Sequence, residues 1–310
     1  MARQIIIDTD PGQDDAVAIL LALAAPDAVE VLGLTCVAGN VALAQTARNA
    51  RGVLALAGRG DVPVMAGCDR PLRRAPVTAG HVHGADGVRG VELPAPEAPL
   101  DPRDAVGFLI ETLRARPEGR VTLVALGPLT NIATALERAP DIAERVAEIV
   151  VMGGAGAVAG NVTPVAEFNI HADPHAADIV LRAGAALTLV PLDVTHKALV
   201  TPERNARFAA LGGTIGATVA ALTDPAGQES PRHGTAEPLH DPCTIAWLLA
   251  PELFAASRVN VAVETGSELC MGQTVVDWWG VTGRAPNARV LHGVDDEGLF
   301  ALLTERLARL

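Results

Sequence analysis

Four carboxylates fall within eight positions near the N-terminus: Asp8, Asp10, Asp14 and Asp15, in the stretch IIIDTDPGQDDAVAILLAL from Ile5 to Leu23. An apolar strand-like run precedes them and an apolar helix-like run follows, so the acids stand at the edge of a core. Helix capping accounts for part of this. Aspartate suits a helix N-terminus, where it accepts from unpaired N–H groups and meets the positive end of the dipole, and Pro11 and Gly12 suit a turn. That explains one or two acids, not four. Carboxylates crowded into a partly dehydrated crevice repel, and they must take up protons or hold a cation. No lysine or arginine falls within the stretch. A hard divalent ion is the simplest countercharge, and oxygen-only ligation points to calcium or magnesium. The glycine spacing and terminal glutamate of an EF-hand are missing.

A phosphate-transfer chemistry is the alternative for these acids. Asp8-Thr9-Asp10 has the D-x-D spacing of phosphatases that use the first aspartate as nucleophile. Pro11 and the pair Asp14-Asp15 lie outside that pattern, and no later lysine stands where a phosphate clamp is needed. A P-loop and a dinucleotide glycine fingerprint are absent; MGGAGAVAG is glycine-rich but follows the fifth strand-like run.

The elements that must position such a site read as strand, loop, helix, repeated. Strand-like runs cover 3–8, 29–37, 62–67, 120–126, 148–152 and 186–194, with helix-like stretches at 14–25, 42–57, 104–116, 129–138 and 174–183. Continuous apolar strands alternating with helices predict an α/β fold, a mostly parallel doubly wound sheet with helices on both faces. The C-terminal third is less regular: helical patterns at 202–222 and 241–250, strand-like runs at 258–264, 273–279 and 288–293, and a final helix at 295–309. No linker or repeat divides the chain, so residues 1–310 are expected to form one domain. Ligands of such sheets sit beyond the carboxyl ends of the strands. There the sequence places DTDPGQDD, AGN with Asn40, GPLTN after Leu126, MGG followed by GNVTPVAEFN, and DVTH. Two long irregular stretches, 68–102 and 223–240, carry AGHVHGADG and SPRHGTAEPLHDP; loops of this length in a compact domain are usually functional or mobile.

The 310 residues are 49% hydrophobic, with a net charge of −12, a pI near 5.1 and a mean hydropathy of +0.29. The charge argues against nucleic acid or an anionic membrane surface as partner, and RPLRR at 70–74 reads as a solvated turn. The four cysteines are scattered with no C-x-x-C pair, which suits reduced thiols and a cytoplasmic location. Acids interrupt the N-terminal apolar run, so no signal peptide is expected. No run approaches the ~18 apolar residues that span a bilayer.

DTDPGQDDAVAILLAL resembles the N-terminal signature of the inosine–uridine-preferring nucleoside hydrolases. Further matching pieces are VAGN (37–40), AGHVHG (79–84), LGPLTNIA (126–133), VMGG (151–154), AEFNIHADPHAA (166–177) and HDPC (240–243), in family order and spanning nearly the whole chain. The resemblance implies calcium-dependent hydrolysis of the N-glycosidic bond of ribonucleosides to free base and ribose. It implies an ion held by Asp10, Asp15, Asp241 and the backbone carbonyl of Leu126, with Asp10 as general base on the water below the anomeric carbon. Asp14 and Asn169 are expected at the 2′- and 3′-hydroxyls, and Asn161 and Glu167 at the 5′-hydroxyl with Asn40 nearby. Met152 is expected beneath the ribose or as a plain core contact. Amides and carboxylates without an arginine among them suit an uncharged polyol, a nucleoside more than a nucleotide.

His240, beside Asp241, is the first choice for the acid that protonates the leaving base, and His81 the second. The family's purine-specific members carry tryptophan at the position of His83, so a broad or pyrimidine-preferring specificity is expected, with His83 facing the base. Family members of broad preference carry tyrosines in the loop at 223–239; this chain has no tyrosine, and Arg232 is expected to serve there. A homo-oligomer, dimer or tetramer, is implied. The competing readings are a nucleoside- or sugar-binding protein without turnover and the aspartate-nucleophile phosphatase.

Overall fold

The apolar triplet Ile5-Ile6-Ile7 sets the architecture. In a strand, successive side chains face opposite sides. Ile5 and Ile7 enter one hydrophobic core and Ile6 enters another. A central strand buried on both faces needs helices above and below. The computed structural model describes residues 2–96, 98–225 and 234–310, without the side chain of His81.

Eleven strands are found among the described residues: β1 (Arg3–Thr9), β2 (Val29–Cys36), β3 (Val64–Ala66), β4 (Val121–Ala125), β5 (Glu148–Met152), β6 (Leu187–Val190), β7 (Leu199–Val200), β8 (Glu237–Pro238), β9 (Phe254–Val263), β10 (Thr274–Asp277) and β11 (Ala288–Val294). Nine form one sheet in the order β10-β9-β11-β6-β5-β4-β1-β2-β3, and β7 and β8 pair as a separate antiparallel ribbon. From β11 to β3 every pairing is parallel; β9 runs antiparallel to both of its neighbours. The expected mostly parallel, doubly wound α/β sheet is present, and the less regular C-terminal third is its antiparallel edge.

Helices Gln13–Leu23, Leu43–Leu56, Pro242–Leu249 and Asp296–Leu307 supply the core on the Ile5 face. Helices Ala105–Ala115, Thr130–Arg138 and Pro174–Arg182 supply the Ile6 face. Gln13–Leu23 is buried all round except at Asp14. It packs against β2 and against helices Leu43–Leu56, Pro242–Leu249 and Asp296–Leu307, which explains why its sequence has no polar stripe.

Two expectations are corrected. The run 186–194 is a strand only to Val190; Pro191, which has no N–H for the ladder, ends it, and Leu192–Thr195 form a short helix. The pattern at 202–222 is two helices, Pro202–Ala209 and Gly213–Leu222, parted where Gly212 takes φ +69°.

The chain starts at β1 in mid-sheet, builds outward through β2 to β3, then crosses to β4 on the other side of β1. Beyond the carboxyl ends of β1 and β4, the winding direction reverses and leaves a crevice.

Candidate active site

The aspartate loop follows β1 directly into that crevice. Asp10 is 1% exposed and is held between glycines that end neighbouring strands. A Cβ on Gly39 would stand 2.1 Å from its Oδ2, and one on Gly127 would stand 2.2 Å from its Oδ1. Oδ2 accepts from the Asn40 N–H at 2.7 Å. Oδ1 is buried with no hydrogen-bond partner among the described residues. Asp15 accepts from Thr9 Oγ1 at 2.5 Å and from the Gly12 N–H at 2.9 Å. Capping therefore accounts for Asp15 in part, and for neither Asp10 nor Asp14.

Asp14, Asp15 and Asp241 each offer a carboxylate oxygen, all within 4.8 Å of one another. Burial, and next the charge of Asp15, push the Asp10 carboxyl well above the usual carboxylate range. Burial and then the charges of Asp14, Asp15 and Asp10 do the same to Asp241. Acids in this state need protons or a cation. An oxygen-only set with one orphaned buried oxygen beside it fits a hard divalent ion. Asp10, expected as a ligand, stands outside the set of three, and Asp14, expected on the sugar, stands inside it.

Asp8 is equally buried but faces away. Its Oδ1 accepts from Thr35 Oγ1 at 2.5 Å and Asn131 Nδ2 at 2.8 Å, and burial raises its carboxyl to about 7. It ties β1 to β2 and to helix Thr130–Arg138 and does not line the cavity. A nucleophilic role like that in the phosphatase reading has no access there.

The cavity above the aspartates holds about 590 Å³, enough for a ligand of nucleoside size. Asp14, Asp15 and Asp241 are at its walls with Asn40, Leu126 and Met152, as are Asn161, Glu167, Asn169, His83 and His240. Asp10 is not a wall residue; it lies one layer beneath. The Leu126 carbonyl accepts from Asn169 Nδ2 at 2.6 Å, and the Met152 carbonyl shares that donor at 3.2 Å. Glu167 caps helix Phe168–Ala172, accepting from the N–H groups of Gly154, Asn169 and Ile170. Burial, opposed by those N–H groups, raises its carboxyl to about 7. Asn161 accepts from the Phe168 N–H at 3.0 Å. His240 Nδ1 meets Thr195 Oγ1 at 2.7 Å, and its ring lies 5.9 Å from that of His196. The side chain of His81 and all of Arg232 lie outside the described residues.

Sequence reasoning missed Gln13, Arg89, His196 and Glu237 on the cavity wall. Arg89 puts an arginine on the cavity wall. The AGHVHG motif signalled its loop, but not that Arg89 turns inward.

These features find a match in known proteins. The family described as "Inosine-uridine preferring nucleoside hydrolase" matches residues 5–301. The chain belongs to this family. Among its relatives, the pyrimidine-specific ribonucleoside hydrolase RihA of Citrobacter koseri is 45% identical over 311 residues, covering 99% of each chain. An uncharacterized protein of Schizosaccharomyces pombe is 50% identical over 309 residues, again 99% of each. Among solved structures, a plant nucleoside hydrolase superposes with TM-score 0.92 at 35% identity, covering 99% of each chain. A purine-preferring ribonucleoside hydrolase from Gardnerella vaginalis gives 0.91 at 32% identity, covering 99% of this chain and 98% of that one. The protein is thus a nucleoside hydrolase, an enzyme of N-glycosyl bonds in ribonucleosides. The hydrolase has no helix, among the described residues, long and apolar enough to cross a membrane.

Proposed function

We propose that the hydrolase cleaves ribonucleosides to free base and ribose with a calcium ion at the floor of the cavity, with a pyrimidine-preferring or broad base specificity. One observation carries this reading: the carboxylates of Asp14, Asp15 and Asp241 converge beside the partnerless Oδ1 of Asp10 beneath a nucleoside-sized cavity. Asp10, Asp15, Asp241 and the Leu126 carbonyl are the ligands, with Asp14 within reach. When bound, a hard cation there acidifies a water and orients a vicinal diol.

The residues do the rest. Asp10 Oδ1 accepts from no other donor among the described residues, which leaves it available as the general base. It takes a proton from water as the water oxygen bonds to the anomeric carbon. The glycosidic C–N bond breaks, its electron pair leaves with the base, and His240 delivers a proton to that base. Thr195 orients His240 through Nδ1; His81 is the alternative acid. Asp14 and Asn169 receive the 2′- and 3′-hydroxyls. Asn161 and Glu167 receive the 5′-hydroxyl beside Asn40, and Met152 underlies the ring. The ring of acids favours the positive charge that develops on the sugar. His83 faces the base.

Pyrimidine preference is supported by the higher identity to a relative described as pyrimidine-specific than to a structure described as purine-preferring. We read residues 1–310 as one domain and the molecule as a homo-oligomer. Trp279, 90% exposed, and Val281, 83% exposed, are apolar surface available to a contact, and light scattering reads the assembly.

The test is chromatography of uridine, cytidine and inosine incubated with the protein in calcium or in excess chelator. Base and ribose released in calcium and abolished by chelator support the reading. Turnover that survives exhaustive metal removal overturns the calcium requirement.

A further inference from the structure

The glycine-rich run MGGAGAVAG, at 152–160, leaves the end of β5 and has the composition of a loop that cradles an anion with its backbone N–H groups. Its donors are spent within the chain instead. The Gly153 N–H donates to the Val190 carbonyl at 3.2 Å. The Gly154 N–H donates to Glu167 Oε2 at 3.0 Å, and the Ala155 N–H to Thr274 Oγ1 at 2.8 Å. The Gly156 and Ala157 N–H groups donate to the two oxygens of Asp193, each at 2.7 Å. Five consecutive N–H groups are thus taken by β6, by the cap of helix Phe168–Ala172, by β10 and by helix Leu192–Thr195.

Asp193 is 5% exposed and Thr274 2%. Buried polar side chains need partners, and the loop supplies them. The approach is close. A Cβ on Gly156 would stand 2.9 Å from Trp278 Cζ2 and 3.5 Å from Asp193 Oδ2, and one on Gly154, which takes φ +86°, would stand 2.9 Å from Thr274 Oγ1. Glycine at these two positions lets the backbone reach its acceptors.

What the loop delivers lies at its two ends. Glu167, which takes the Gly154 N–H, is one of the groups placed at the 5′-hydroxyl. Asn161 is the other; it follows Ala157 by four residues, and its side chain accepts from the Phe168 N–H beside Glu167. Both line the cavity, whereas Asp193 and Thr274 do not.

We propose that Asp193 and Thr274 are positioning residues: they clamp the loop at 153–157 and so hold Asn161 and Glu167 at the spacing that receives the sugar's 5′-hydroxyl. The effect on the sugar rests on the nucleoside reading above; the clamp does not. A carboxylate accepts from both amides, whereas a carboxamide accepts from one and turns a donor toward the other. Asp193→Asn therefore keeps the shape and leaves one buried N–H facing a donor, which loosens the loop.

The test uses the full chain in calcium and compares kcat/KM for uridine with that for 5′-deoxyuridine, which lacks only the hydroxyl in question. The ratio cancels any loss common to both substrates, including one passed to His240 through Thr195 on the same short helix. In Asp193→Asn the ratio is expected to fall roughly tenfold, the worth of one hydrogen bond. Thr274→Val removes an acceptor at nearly constant volume; it is expected to lower the ratio in the same direction and decides the matter if Asp193→Asn does not fold. Equal losses on both substrates, or an unchanged ratio in either folded variant, overturn the proposal. Amide hydrogen exchange reads the clamp without turnover: Gly156 and Ala157 are expected to exchange roughly tenfold faster in Asp193→Asn than in the wild type. A wild type that hydrolyses no nucleoside fails the functional reading, and unchanged exchange in the variant overturns the clamp itself.

Discussion

At the scale of single residues, the site is a problem in where protons and charges go. Asp10 has one oxygen committed to the Asn40 N–H and one committed to nothing. Asp10→Asn keeps the shape and removes the base, so kcat is expected to fall roughly 10²–10⁴-fold, measured by steady-state turnover of uridine in saturating calcium; turnover within a few fold of wild type removes Asp10 as the base. Glu167 gives a separate, pH-readable case. Its folded carboxyl is raised to about 7 from an ordinary 4.5. Between those values the folded state keeps a proton that the unfolded chain releases, so stability falls as pH rises through that window and levels off above it. The loss is at most about 3 kcal/mol. Melting curves across pH 4–8 are expected to show the wild type losing this increment and Glu167→Gln lacking it; parallel curves contradict the assignment. The acids were legible from their crowding alone, because like charge at a core edge has few explanations. Gln13, Arg89 and Glu237 were not, since Arg89 and Glu237 lie 148 residues apart and their polarity alone suits any solvated loop.

At the scale of elements, the carboxyl ends of β1, β2 and β4 converge on one carboxylate. Gly39 follows β2 and Gly127 follows β4, and both leave room that Asp10 occupies. An added methyl at either position overlaps an Asp10 oxygen and must displace it by about 1 Å, enough for a loss on the order of 10² in rate. Gly39→Ala and Gly127→Ala are each expected to show that loss with the fold retained. In an Asp10→Asn background neither should cost further, because the displaced group is already inert. Additive losses would mean the glycines act elsewhere. The parallel sheet and its active edge followed from apolar runs alternating with helical patterns, since strands buried on both faces have few other arrangements. What did not follow was local: the end of β6 at Pro191 and the break at Gly212 interrupt patterns whose hydrophobicity runs straight through them.

At the scale of the whole molecule, the same acids set a balance between function and stability. The chain has a net charge of −12, and at its sheet edge Asp10, Asp15 and Asp241 are buried, with carboxylate oxygens of Asp14, Asp15 and Asp241 within 4.8 Å of one another. In metal-free protein their raised carboxyls hold protons that the unfolded chain gives up, so folding weakens as pH rises. A bound cation replaces those protons, and its stabilisation should therefore grow in the same direction. Calcium at a hundredfold excess over its dissociation constant contributes about 2.7 kcal/mol. For a chain of this length that is a Tm rise of roughly 4 °C. Thermal melts in calcium and in chelator, at steps from pH 5 to pH 8, are expected to diverge progressively with pH, and Asp241→Asn to narrow the gap at every step. Melts that coincide at pH 8 would mean the aspartates are neutralised from within the chain, and the sugar-binding floor of the cavity would have to be built without an ion.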